Sequence, residues 1–181
     1  CYCGATFVLG TGVGLSLTSN GSLISTWNLK DYLRWPSIGE KQVTPGQKLY
    51  QTEILKHGIS SLVQNSGSAV NFVANANQLL ELPEEDGVQV FEVLEAGHHE
   101  ELQDLFASYC REIAILIYNL QSLVRLEKVT IGGGISSQPL LLGEINRQYK
   151  SLMEESGEQR FSLVEIQAAR YHNLSNLLGA V

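Results

Sequence analysis

The sequence predicts an α/β fold: a mixed five-stranded sheet with flanking helices and a helical insert. Three observations carry that expectation. The first 26 residues alternate short strand-like runs with a glycine-rich turn and an Asn-Gly turn, the pattern of three antiparallel strands. A long run with apolar residues at helical spacing then leads into a short apolar run that ends in three glycines. A helical run, an apolar run and a last helical run close the chain, as in β-α units. Antiparallel strands followed by such units fit a mixed sheet with helices packed on it.

Taken in order, residues 5–9 form a short apolar strand interrupted by Thr6. Gly10-Thr11-Gly12-Val13-Gly14 follows. Leu15-Ser16-Leu17-Thr18-Ser19 then alternates apolar and polar residues, the period of a half-buried strand. Asn20-Gly21 is a preferred two-residue hairpin turn, and residues 22–26 are the return strand. The insert spans about residues 27–96. Trp35-Pro36 and Thr44-Pro45-Gly46 punctuate it, with helices expected over 47–64 and 68–80. Pro83-Glu84-Glu85-Asp86 starts a short helix that Gly97 ends. From Glu100 to Val124, Leu102, Phe106, Tyr109, Ile113, Ile117 and Leu120 recur at helical spacing. Val129-Thr130-Ile131 is a buried strand that runs into Gly132-Gly133-Gly134. A helix over 138–154, a strand over 161–166 and a helix over 173–180 complete the chain.

Composition bounds the function. The 181 residues fit one domain, with 44% apolar and 17% charged residues, as in ordinary soluble globular proteins. The net charge of −7 argues against nucleic-acid binding through this domain, which needs a basic footprint. No run approaches the roughly 18 consecutive apolar residues of a membrane span. Cys1-Tyr2-Cys3-Gly4 is not a signal peptide, and the lack of an initiator Met reads as a start inside a longer chain. Three cysteines, Cys1, Cys3 and Cys110, make no disulfide framework, which points to a reducing cytoplasm. Cys1-x-Cys3 lacks the spacing and the second ligand pair of a zinc site, so it reads as small residues on a strand.

The two glycine motifs are the candidate site. Gly10-x-Gly12-x-Gly14 lacks the Gly-x-Gly-x-x-Gly spacing of a dinucleotide fingerprint, and a strand rather than a helix follows it. No Walker lysine follows, so it is not a P-loop. What remains is a glycine hairpin whose backbone N–H groups, with the Thr11 hydroxyl, can cradle phosphate oxygens. The alternative is a tight turn without a ligand. Gly132-Gly133-Gly134-Ile135 at a strand end leaves the sheet edge bare for a flat base or ribose, with Ser136 or Ser137 capping the next helix. Its alternative is a plain strand-to-helix turn.

These segments resemble the C-terminal half of the ROK family (repressor, open reading frame, kinase), within the actin-like ATPase (ribonuclease H-like) folds. FVLGTGVGLSLTSNGSLI is similar to the family's second phosphate loop. VTIGGGIS is similar to its adenosine segment, and VEIQAARYHNLSNLLGAV to its closing strand and helix. The resemblance implies an ATP-dependent hexose kinase of the glucokinase type. Gly10, Thr11, Gly12 and Gly14 would meet the β- and γ-phosphates, and Gly132, Gly133, Gly134 and Ile135 would line the adenosine site. It also implies Mg²⁺, a homodimer, and a catalytic Asp in an N-terminal half that is absent from this chain, so no residue here is catalytic. The family's zinc loop and its Gly-Glu-x-Gly-His sugar segment have no counterpart. No zinc is therefore expected, and Ile38-Gly39-Glu40 is the nearest remnant of the sugar segment. The rivals are a sugar-sensing repressor of the same family, with a DNA-binding unit further upstream, and a degenerate nucleotide-binding member.

Other polar residues have plainer readings. His57 is a surface residue at a helix end, and Trp27 and Trp35 suit core packing or an interface. His98 and His99 are adjacent and cannot share a helical face as a metal pair. Glu84, Glu85 and Asp86 favour a helix dipole. Asn173 reads as a helix cap.

Overall fold

A computed structural model describes residues 3–24, 68–82, 87–157 and 162–170. The helices expected over 47–64 and 173–180 lie outside these residues. So do Cys1, Trp27, Trp35, Ile38-Gly39-Glu40, His57, Pro83–Asp86 and Asn173.

Strands β1 (Cys3–Leu9), β2 (Val13–Ser19) and β3 (Ser22–Ile24) pair antiparallel, with Leu9 opposite Val13 and Ser19 opposite Ser22. Asn20 and Gly21 take φ of 51° and 76°, the left-handed pair that a two-residue hairpin turn requires. On the other side of β1, strands β4 (Lys128–Gly132) and β5 (Glu165–Ala168) add in parallel. The sheet order is β3-β2-β1-β4-β5, the mixed five-stranded sheet expected.

Four helices are described: α1 (Ala69–Leu79), α2 (Gly87–Ala96), α3 (Glu100–Leu123) and α4 (Pro139–Ser156). Their ends follow local chemistry. Ser68 accepts the Asn71 N–H at 3.1 Å and caps α1. His99 caps α3, its Nδ1 accepting the Leu102 N–H at 3.2 Å, with Glu100 and Glu101 at the positive end of the helix dipole. Pro139 opens α4, where its missing N–H costs nothing, and Gly157 at φ 61° ends it.

Helices α3 and α4 share one apolar core with the sheet. Leu102, Cys110, Ile113 and Ile117 of α3, and Leu141, Ile145 and Tyr149 of α4, are buried in one cluster with Phe7 and Leu9 of β1 and Val129 and Ile131 of β4. A fully buried side chain of this size contributes roughly 1.5–3 kcal/mol, so these central strands and the two long helices carry much of the stability. An aromatic group within this same core pins the shorter helices. Phe72 of α1 stacks on Tyr109 of α3 at 4.8 Å, and Phe91 of α2 meets Phe106 of α3 edge-on at 5.8 Å. Phe72 and Phe91 also contact each other at 6.2 Å. Burial pushes the Tyr109 phenol well above its ordinary pKa, with the neighbouring Cys110 adding to the shift.

The last strand differs from expectation. It was expected over 161–166, but the ladder starts at Glu165, because β4 itself starts at Lys128 and the two residues pair. The residues just before Glu165 have no strand beside them, and side chains hold them instead. Gln121 Nε2 donates to the Ser162 carbonyl at 2.7 Å, and the Val164 N–H donates to the Tyr149 hydroxyl at 3.3 Å. Tyr149 in turn donates to Gln121 Oε1. Among the described residues no helix is long and apolar enough to cross a membrane.

Two outcomes test these contacts. Tyr149→Phe leaves the Val164 N–H and Gln121 Oε1 without this partner, and urea unfolding is expected to show a loss of about 1–3 kcal/mol. A stability equal to the unsubstituted chain would refute the role of this network. Glu144 on α4 supplies a pH test. Burial opposes its ionisation, but hydrogen bonds from Arg147 and Gln148 outweigh this and hold its carboxyl below the ordinary value. A carboxylate with a lowered folded pKa stabilises the fold above its unfolded pKa, and that contribution is lost as the pH falls through the folded value. Glu144→Gln is therefore expected to melt below the unsubstituted chain at pH 7, with the gap closing toward pH 3.

Candidate functional site: a cleft at the carboxyl ends of β1 and β4

Parallel pairing puts the carboxyl ends of β1 and β4 side by side, with Val8 opposite Gly132. Ligands in open α/β sheets bind at such edges. Both glycine motifs emerge here. Gly133 sits at φ 99°, and a Cβ built on it would overlap the Leu9 carbonyl oxygen and stand 2.9 Å from that residue's N and C. Only glycine permits this approach, so the two motifs abut backbone to backbone. Just beyond, a short 3₁₀ helix (Gly134–Ser137) precedes α4. Ser136 belongs to this turn. Its hydroxyl donates to the Gly133 carbonyl at 2.7 Å, and its N–H donates to the same oxygen at 3.1 Å. Neither Ser136 nor Ser137 caps α4. Gln138 stands at the cap position instead, without a side-chain capping bond. The expected serine cap fails because α4 opens at Pro139, which puts the cap position at Gln138, and the Ser137 hydroxyl instead donates to Gly134 O at 3.2 Å within the 3₁₀ turn.

The hairpin bend is tighter than the glycine pattern implied. Val13 and Gly14 already belong to β2, with Gly14 opposite Val8, so the bend is Gly10-Thr11-Gly12. The Gly10 N–H closes the bend onto the Gly12 carbonyl at 3.0 Å. The Gly10 carbonyl accepts from Ala69 at 2.9 Å and Val70 at 3.4 Å, which docks the N-terminus of α1 onto the hairpin. Gly10 thus spends its own backbone on structure. The N–H groups of Thr11 and Gly12 make no hydrogen bond to another described residue, and Thr11 is exposed. None of Gly10, Gly12 and Gly14 is among the glycines with positive φ, and nothing stands within 4 Å of where a Gly10 Cβ would be. The bend's own geometry therefore does not demand glycine at Gly10, whereas a molecule lying close against it would.

Beside this junction lies a cleft of about 440 Å³, within the range of small-molecule sites. Leu9 and Gly10 form one wall, and Gly134, Ile135 and Gln138 a second. Ala69, Val70 and Val73 of α1 and Gly87, Val88 and Phe91 of α2 close it. Three of the predicted site residues, Gly10, Gly134 and Ile135, line it directly. Thr11 and Gly12 follow the lining residue Gly10 in the bend, Gly132 ends the β4 ladder, and Gly133 packs against Leu9 without lining the cleft. Sequence reasoning missed the α1 and α2 walls and Gln138. The apolar pattern of both helices was legible, but not that Val70 and Val88 stay 46% and 62% exposed on the cleft side.

No ionisable side chain is among the cleft's described lining residues. These described residues can hold a flat apolar body and, at the hairpin edge, hydrogen-bond an anion through backbone N–H groups. A larger groove of about 680 Å³ lies between α2, α3 and α4. Its cation, Arg147, is held by Glu144 through Nε at 2.7 Å, with Glu95 and Asp104 nearby, so it is a poor anion site. Cys3 on β1 and Cys110 on α3 sit on separate elements, and no group of three or more potential metal ligands occurs among the described residues.

Gly133→Ala is expected to cost roughly 3 kcal/mol or more, from the positive φ and the overlap with Leu9. Gly132→Ala is the control. Its Cβ would find Ala169 at 3.6 Å and Val8 at 3.7 Å, ordinary contacts, so its effect should stay within about 1 kcal/mol. Urea unfolding of both variants checks the pair, and equal losses would refute the junction.

No curated protein matches the sequence significantly. Solved structures do. A ROK family protein from Streptococcus pneumoniae in complex with sucrose superposes with a TM-score of 0.67 at 20% identity, covering 98% of this chain and 56% of that one. The Lmo2764 protein from Listeria monocytogenes, a proposed N-acetylmannosamine kinase, gives 0.64 at 26% identity, covering 99% and 56%. A ROK family glucokinase from Streptomyces griseus in complex with glucose and AMPPNP gives 0.61 at 17%, covering 99% and 59%. The chain thus has the actin-like fold of the ROK sugar kinases and spans just over half the length of these structures. Its residues 50–181 match the sequence profile of the same family, and on that match the chain belongs to the ROK family.

Proposed function

We propose that this chain is the nucleotide-binding half of an ATP-dependent hexose kinase of the glucokinase type. The observation that carries the reading is the junction of a glycine bend with an apolar cleft at one sheet edge. The bend presents the Thr11 and Gly12 N–H groups, and the cleft beside it has room for a base and ribose. Phosphates at the hairpin edge would be held by backbone donors and the Thr11 hydroxyl, donors that cost no reorganisation as charge develops in phosphoryl transfer. These are anion donors rather than cation ligands, so Mg²⁺ would ride on the phosphates. The described lining residues hold no carboxylate, and the base that takes the sugar hydroxyl proton is assigned to the N-terminal half, which closes on the substrate. The glucose and AMPPNP bound by the Streptomyces griseus glucokinase support a hexose and ATP here. Assembly as a cytoplasmic homodimer that needs no zinc completes the reading.

The lack of ionisable groups among the described lining residues also suits a degenerate member that binds nucleotide without catalysis. A sugar-sensing repressor is set apart by a DNA-binding unit upstream, and phosphorylation by the full-length protein separates both rivals from a kinase. For this chain, calorimetry is expected to show Mg·ATP binding. Gly10→Val should weaken it about tenfold or more, a loss of roughly 1.4 kcal/mol, with an unchanged melting temperature because open space surrounds the added side chain. The chain alone should not phosphorylate glucose. An absence of ATP binding would remove the reading, and glucose phosphorylation by the chain alone would overturn the division of labour.

A further inference from the structure

We propose that Gln138 reads the edge of the base and sets a preference for adenine over guanine nucleotides. The assignment rests on the nucleotide reading above and goes beyond it, because the cleft's apolar walls grip any flat ring alike. Gln138 is the one polar side chain among the cleft's described lining residues.

Its placement is unusual for its position. Gln138 occupies the cap position of α4 with extended backbone, φ −80° and ψ 116°, yet its side chain makes no capping hydrogen bond. Its backbone is used at both ends, the N–H donating to the Ile135 carbonyl at 3.1 Å and the carbonyl accepting the Leu141 N–H at 3.1 Å. Its amide has no hydrogen bond to another described residue, unlike the nearby Ser136 and Ser137 hydroxyls. Gln138 is half-buried, and Gly134 and Ile135 line the same wall.

A carboxamide presents one acceptor and one donor group side by side. That pair matches adenine, whose N6 amine donates and whose N7 accepts, and Gln is a standard bidentate partner of this edge. Guanine offers two acceptors, O6 and N7, at the same places. The Gln138 carbonyl would then face a carbonyl oxygen inside an apolar cleft, where an unmatched polar contact is costly.

The test uses this chain, with ATP, GTP and tripolyphosphate as separate ligands in equilibrium binding. The unsubstituted chain is expected to bind ATP about tenfold or more tightly than GTP. Gln138→Leu should bring the ATP:GTP ratio close to one, leave tripolyphosphate affinity unchanged, and keep the melting temperature, since the side chain caps nothing. Gln138→Asn, with the same amide on a shorter stem, should recover part of the preference. A Gln138→Leu chain that keeps the original ratio overturns the assignment while leaving nucleotide binding intact. Binding of tripolyphosphate with no gain from any base would overturn the assignment of the base to the cleft. An unsubstituted chain that binds none of the three removes the nucleotide reading itself, and Gln138 with it.

Discussion

One backbone contact organises the site: Gly133 against Leu9. The two strands that end there are parallel neighbours, so their chain exits crowd into the same space. A side chain at Gly133 would occupy the position of the Leu9 carbonyl. Its absence, together with the positive φ, lets the chain leave β4 across the end of β1 and enter the 3₁₀ turn that Ser136 ties down. From that junction the hairpin bend stands on one side and α4 begins on the other.

The rest of the cleft hangs from this junction through two further connections. The Gly10 carbonyl accepts the first N–H groups of α1, which are otherwise orphans at a helix start. Position along the hairpin therefore fixes where α1 begins. The aromatic cluster then fixes how α1 and α2 lie on α3. Phe91 belongs to both, lining the cleft and packing edge-on against Phe106. A wall that is also part of the core cannot shift without disturbing that packing. The apolar cleft is thus held by the same contacts that stabilise the fold.

The chemical character of the cleft shows what this part of the fold contributes. Its described walls are backbone and apolar side chains with the Gln138 amide, and no ionisable side chain is among these described residues. Such a surface selects shape and holds charge through amides. The chain spans 56–59% of the ROK structures it resembles.

The sequence by itself determined the elements whose signals are local. The Asn20-Gly21 turn, the apolar stripe of α3, the glycines closing β4 and the helix over about 138–154 depend on residues close in the chain, and all were legible. The mixed character of the sheet followed from their order. What only the tertiary structure decided depends on partners distant in sequence. The last strand starts at Glu165 because Lys128 is where its neighbour starts. The serines after the triple glycine serve a 3₁₀ turn rather than α4. Val70, Val88 and Gln138 face a cleft because α1 and α2 dock over the sheet edge. Periodicity tells which residues share a face, but not which neighbour that face meets, and the walls of this site are made of such meetings.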